Sequence, residues 1–144
     1  MEKKETGDHG EQLAVEKLKL LGYSALLKPT NHPIFDIDCE CASGRKFTVQ
    51  VKTSTAPGTQ AWIGLKAVDG KLREDLYFVV IRLWDIAKQP EFFVLTHDEL
   101  KRAWHKMPLT RANGEPYKRT GHLAWQHLEL YQDGWSKLPN YSVA

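Results

Sequence analysis

Phe35-Asp36-Ile37-Asp38-Cys39-Glu40, then Cys41-Ala42-Ser43-Gly44-Arg45-Lys46, then Phe47-Thr48-Val49-Gln50-Val51-Lys52-Thr53-Ser54 is the stretch whose reading decides the fold. Two alternating runs flank a polar turn that contains glycine, which is the pattern of a β-hairpin. Side chains on a strand alternate between faces, so Asp36, Asp38 and Glu40 share one face of the first strand. On the second strand Thr48, Gln50 and Lys52 share a face and leave Phe47, Val49 and Val51 to pack. Paired as a hairpin, the strands bring three acids near an amide and an ammonium. An acid-rich strand opposite a lysine-bearing one also suits a plain solvated hairpin face.

Outward from the hairpin, the order of elements is that of a mixed α/β domain. Asp8 is a candidate N-cap with Glu11 at the capping-box position, and Leu13, Ala14, Leu18 and Leu21 recur at helical spacing before Gly22. This predicts a first helix over Asp8–Leu21, followed by a short strand over Tyr23–Leu27. Residues 53–60 read as a loop, Ala61–Leu65 as a short strand and Val68-Asp69-Gly70-Lys71 as a turn. The nearly unbroken apolar run Leu76–Leu83 predicts a strand buried on both faces. Phe92–Leu95 predicts another strand, and Thr96-His97-Asp98-Glu99 a capping box that opens a helix through His105. Residues 107–120 read as a basic loop, and His122–Tyr131 as a final helix.

The chain has 144 residues and a formal net charge of +2, which fits one domain with a real core and neither demands nor opposes nucleic-acid binding. No apolar run is long enough for a spanning helix, and the charged start Met1-Glu2-Lys3-Lys4-Glu5 is no secretory signal, so a cytoplasmic location is expected. Cys39 and Cys41 share a strand face and read as buried thiols. The six histidines have no metal-ligand spacing and most read as surface or cap residues, with His32, in the turn before Asp36, the one expected near the site. Trp62, Trp84, Trp104, Trp125 and Trp135 read as core and helix-packing residues in preference to base-stacking platforms.

Hydrolysis of a phosphodiester calls for a metal that neutralises charge and lowers the pKa of the attacking water. Magnesium takes oxygen ligands, commonly one or two carboxylates with waters completing the shell. Asp36 offers a carboxylate oxygen, Gln50 an amide oxygen and Val51 a backbone carbonyl. Lys52 can orient the water and stabilise charge developing on the phosphate.

The segments Phe35-Asp36-Ile37 and Val49-Gln50-Val51-Lys52-Thr53-Ser54, preceded by Gly10-Glu11-Gln12-Leu13-Ala14, resemble the PD-(D/E)XK nuclease superfamily. They look like its small members whose motif reads Q-V-K-T-S. The resemblance covers roughly the first 55 residues, and Trp62, Tyr77-Phe78-Val79-Val80 and Tyr131-Gln132-Asp133-Gly134-Trp135 echo it more faintly. It implies a restriction-endonuclease-like αβββαβ core, a mixed central sheet flanked by helices, with extra helices at the C-terminus. It implies Mg²⁺ or Mn²⁺ as cofactor, Asp36 as metal-binding aspartate, Gln50 in the glutamate slot, Lys52 as catalytic lysine and Glu11 as a helix-borne acid. The sequence departs from the pattern in two places. Pro33 does not adjoin Asp36, and Gln50 gives up a full negative charge that Asp38 or Glu40 can restore.

The function expected is a metal-dependent endonuclease acting on DNA, branched or double-stranded. Arg45, Lys46, Arg111, Lys118 and Arg119 are candidate phosphate contacts, and two-strand cleavage makes a homodimer natural. Two other readings stay open: a non-catalytic nucleic-acid-binding module of the same fold, and an inhibitor- or immunity-type interaction protein.

Overall fold

A computed structural model describes residues 3–28, 37–55, 58, 60–84, 88–107, 112–115 and 121–141. Helix α1 (Lys3–Leu20) leads into β1 (Ser24–Leu27), β2 (Ile37–Glu40) and β3 (Lys46–Thr55). Then come β4 (Gln60–Trp62), a short helix α2 (Leu65–Asp69), β5 (Leu76–Leu83), β6 (Glu91–Thr96), α3 (His97–His105) and β7 (His122–Ala124). Single 3₁₀ turns at Trp125–His127, Glu129–Tyr131 and Trp135–Lys137 follow.

The hairpin forms as its alternation requires. β2 and β3 pair antiparallel, with Ile37 opposite Val49, Asp38 opposite Thr48 and Glu40 opposite Lys46. β5 runs parallel to β3 from Thr48↔Leu76 to Thr55↔Leu83. The mixed sheet has five strands in the order β1-β2-β3-β5-β6, with β4 and β7 forming a separate antiparallel pair. This is the α/β class expected, a mixed central sheet with helices on its flanks.

Period-2 alternation divides the core into two. Ile37, Cys39, Phe47, Val49, Val51, Tyr77, Val79 and Ile81 face α1 and bury against Ala14, Val15 and Leu18. Leu76, Phe78, Val80, Phe93 and Leu95 face the other way, onto Leu100, Ala103 and Trp104 of α3 and onto Ala61, Ile63 and Leu123 of the β4–β7 pair. β5 is buried on both faces, as its apolar run requires. The crossing of α1 over β3 is close at Gly10, where an added Cβ would lie 1.8 Å from Thr53 Oγ1, so only glycine permits this approach.

Several expectations are corrected. α1 begins at Lys3, so Asp8 lies inside the helix and its capping box with Glu11 does not form. Thr53, Ser54 and Thr55 continue β3 where a loop is expected, because pairing with β5 carries the strand on to Thr55. The Val68-Asp69-Gly70-Lys71 turn is instead the end of α2. The expected helix over His122–Tyr131 is β7 plus 3₁₀ turns, because Leu123 pairs opposite Ala61 and Trp125 buries beside it. The extra C-terminal helices are therefore only single turns. By contrast, Thr96 caps α3 through its side chain and Glu99 returns a bond to the Thr96 backbone, the reciprocal box read from sequence. Cys39 and Cys41 are buried free thiols; burial, with Asp38 and Cys41 nearby, pushes the Cys39 thiol up to about 12.

Candidate active-site cleft

α1, together with Trp135 and Leu138, covers one face of the sheet, whereas α3 and the β4–β7 pair cover β5 and β6 on the other, with β4 reaching β3 through Trp62. The edge of that second layer lies along β3, on the face that carries Thr48, Gln50 and Lys52. Among the described residues β2 pairs with β3 from Lys46 to Val49, and β5 follows β3 to Thr55. Gln50 and Lys52 stand half-buried at the floor of a cleft on that face.

Gln50 and Lys52 line a cleft of about 420 Å³ whose opposite wall is Trp62, Gly64, Lys66, Lys71, Arg73 and His97. A second cleft, about 750 Å³, also contains Lys52 and Trp62 and extends past Thr6, Gly7, Ser54 and His122. Lys52 belongs to both. Its Nζ lies over the Trp62 ring, 5.2 Å from the ring centroid, in cation–π geometry. The wall opposite Lys52 is pinned at Gly121, whose carbonyl accepts from the N–H groups of Ile63 (2.7 Å) and Gly64 (3.0 Å). An added Cβ on Gly121 would meet the Gly64 backbone at 2.5 Å, so the close approach that shapes this wall requires glycine.

Among the described residues the lining of the first cleft carries Lys52, Lys66, Lys71 and Arg73 and no Asp or Glu. His97 is buried rather than a surface residue; its Nδ1 accepts from the Arg73 N–H (2.9 Å), so Nε2 carries the proton and donates to the Ala67 carbonyl (2.8 Å). That pair of bonds ties α2 and the segment before β5 to the start of α3. Trp62 is also unlike the packing tryptophans Trp104, Trp125 and Trp135, since 55% of it is exposed.

Asp38 and Glu40 lie on the same pleat face as Gln50 but toward the turn end of the hairpin, in a third cleft with Thr48, Lys46 and Asp75. Lys28 pairs with Asp38 at 3.4 Å. Arg45 and Lys46 are exposed at that same end, roughly 20 Å along β3 from Lys52 at about 3.3 Å per residue. Glu11 follows the Gly10 contact on α1 and is half-buried; Val51 is buried between Gln50 and Lys52. Asp36, Arg111, Lys118 and Arg119 lie outside the described residues, as does His32. Sequence reasoning read Trp62 as a packing residue and missed Lys66, Lys71, Arg73 and His97 as parts of the site. They come from segments distant along the chain and carry no shared spacing.

No family model matches the chain, and no curated protein matches its sequence. Its fold is that of a known enzyme. A solved bacterial homing endonuclease, I-Ssp6803I, superposes with a TM-score of 0.54 over 94% of this chain and 89% of the other, at 14% identity. At that identity the likeness is one of fold.

Proposed function

We propose that the chain is a metal-dependent nuclease that hydrolyses phosphodiester bonds in DNA as an endonuclease, with Lys52 at the centre of the site. The observation that carries this reading is the joint placement of Gln50 and Lys52 on the floor of a cation-lined cleft. Support comes from the fold shared with a homing endonuclease.

The donors at hand are oxygens, which suit a hard divalent cation such as Mg²⁺ or Mn²⁺. Among the described residues no three His, Cys, Asp or Glu side chains gather as metal ligands. The carboxylate share therefore falls to Asp36, which has the sequence parity of Asp38, with the Gln50 amide and the Val51 carbonyl completing the protein's donors. Asp38 and Glu40 are the compensating acids of the same face. A bound cation would supply charge neutralisation and an acidified water.

The chain's own residues do the rest. The Lys52 ammonium donates hydrogen bonds to the non-bridging oxygens and stabilises negative charge as it develops on the phosphate. Lys66, Lys71 and Arg73 hold the flanking phosphates. Glu11 is the remaining acid assigned to the site, from α1. One site per chain makes a homodimer the natural agent of two-strand cleavage.

Incubation with plasmid, branched and single-stranded DNA plus Mg²⁺ or Mn²⁺, beside a Lys52→Ala control, tests the proposal. Cleavage by the wild-type chain that is lost in the variant is the expected outcome; no cleavage by the wild-type chain, or cleavage unchanged in the variant, overturns the proposal. The Gln50 amide favours one second reading, a DNA-binding module that does not cleave. Salt-dependent binding without hydrolysis in either metal selects that reading.

A further inference from the structure

We propose that the Trp62 indole is a stacking platform for an unpaired nucleobase, and that the site therefore takes DNA with an unstacked nucleotide beside the reacting phosphate. The inference rests on the nuclease reading and narrows its substrate.

Trp62 forms the ridge between the two clefts that share Lys52. A tryptophan more than half exposed is unusual for a residue anchored in a strand, and it is anchored on several sides. Its backbone N–H donates to Ser54 Oγ (3.4 Å), and β4 pairs with β7 so that Trp62 stands opposite His122. Gly64 runs alongside the six-membered ring, where an added Cβ would come within 3.6 Å. The ring is thus set in a defined orientation while much of its surface faces solvent.

The surroundings favour a nucleotide over an apolar partner. Lys52 lies against the ring, and Lys66, Lys71 and Arg73 stand in the same cleft, so a base on the indole has cations placed for its phosphates. Single-stranded binders use this combination of an aromatic face and a basic track. The clefts, about 420 and 750 Å³, fall within the range of roughly 300–1,000 Å³ that takes bound small groups. Bases inside a duplex are already stacked on each other, so only a nucleotide at a junction, flap or single-stranded segment offers a free face.

The test uses the full chain with Ca²⁺ in place of Mg²⁺, to hold back hydrolysis, and DNA carrying 2-aminopurine either unpaired or within a blunt duplex. The unpaired probe should be quenched on binding, and the duplex probe, already dim from stacking on its neighbours, should not change. Trp62→Ala should abolish the quench and weaken binding of the unpaired substrate by about tenfold or more, with duplex binding unchanged, and Trp62→Phe should retain most of both. DNA binding by the wild-type chain without quenching, or equal affinity of Trp62→Ala for unpaired DNA, overturns the platform and leaves the nuclease reading standing. No binding of any DNA at low salt overturns both.

Discussion

Gly7→Ala and Gly10→Ala, three residues apart on the same helix, should change stability in opposite directions. Replacing a glycine inside a helix by alanine gains about 1 kcal/mol from the reduced freedom of the unfolded chain. At Gly7 an added Cβ meets nothing within 4 Å, so that gain is realised. At Gly10 the same atom would lie 1.8, 2.8 and 2.9 Å from Oγ1, Cβ and Cγ2 of Thr53. Overpacking of this kind costs about 1–3 kcal/mol, and the upper half applies because three atoms overlap and Thr53 sits in the paired strand β3. The net expectation is a loss of about 1–2 kcal/mol for Gly10→Ala, or roughly 3–6 °C in Tm for a domain of this size. Thr53 Oγ1 is buried without a hydrogen-bond partner, so Thr53→Ala alone should cost little. In the double variant it removes two of the three overlapping atoms, and a favourable coupling of about 1 kcal/mol should appear. Urea unfolding of the four variants with wild type measures all of this. If Gly10→Ala proves as stable as Gly7→Ala, α1 does not cross β3 at Thr53 and the seating of β3 beside Lys52 is wrong.

Other consequences follow from the same geometry. Gln50→Glu adds the negative charge the site lacks and should lower the metal concentration for half-maximal cleavage by about tenfold, read by titrating Mg²⁺ at fixed DNA. The Cys39 thiol is held protonated up to about 12, against 9.0 when unfolded, so it adds stability that is complete below about pH 9 and lost as pH climbs toward 12. Denaturant midpoints across that range should therefore decline less steeply in Cys39→Ala than in wild type. Lys137 donates to Glu99 Oε1 at 2.8 Å and to the Val94 carbonyl at 2.7 Å. Burial would raise the Glu99 pKa, but the bonds from Lys137 and Thr96 bring it below its usual value, so that stability is present above the unfolded pKa and lost as pH falls. Lys137→Met should cost about 1–2 kcal/mol at neutral pH and less in acid, measured by urea unfolding at both.

Much of the fold is legible in the sequence because its signals are local. The alternation around Asp38 and around Gln50 sets the hairpin and its faces, the unbroken run Leu76–Leu83 sets the central strand, and Thr96 with Glu99 sets the start of α3. Local signals also mislead where a distant partner decides. Asp8 has the residue type of a cap, yet Lys3 to Gly7 continue the helix above it. His122–Tyr131 has helical composition, but Leu123 finds its partner in β4. The site divides the same way. Gln50 and Lys52 are adjacent on one strand face and can be read from period 2, whereas the opposing wall of Trp62, Lys66, Lys71, Arg73 and His97 is assembled by the β3–β5 crossover. Nothing in the spacing of those residues announces that they meet; they are held by the buried His97 bridging Ala67 and Arg73 and by the Gly121 carbonyl that takes the Ile63 and Gly64 N–H groups.

The most direct test of the central claim is the rate of DNA cleavage by Lys52→Ala against wild type under saturating Mg²⁺, with equal DNA binding verified by anisotropy. Removing one preorganised donor to a developing oxyanion typically slows catalysis by about 10²–10³-fold, and a loss of that size with intact binding is predicted here. A variant that cleaves at the wild-type rate would contradict the account.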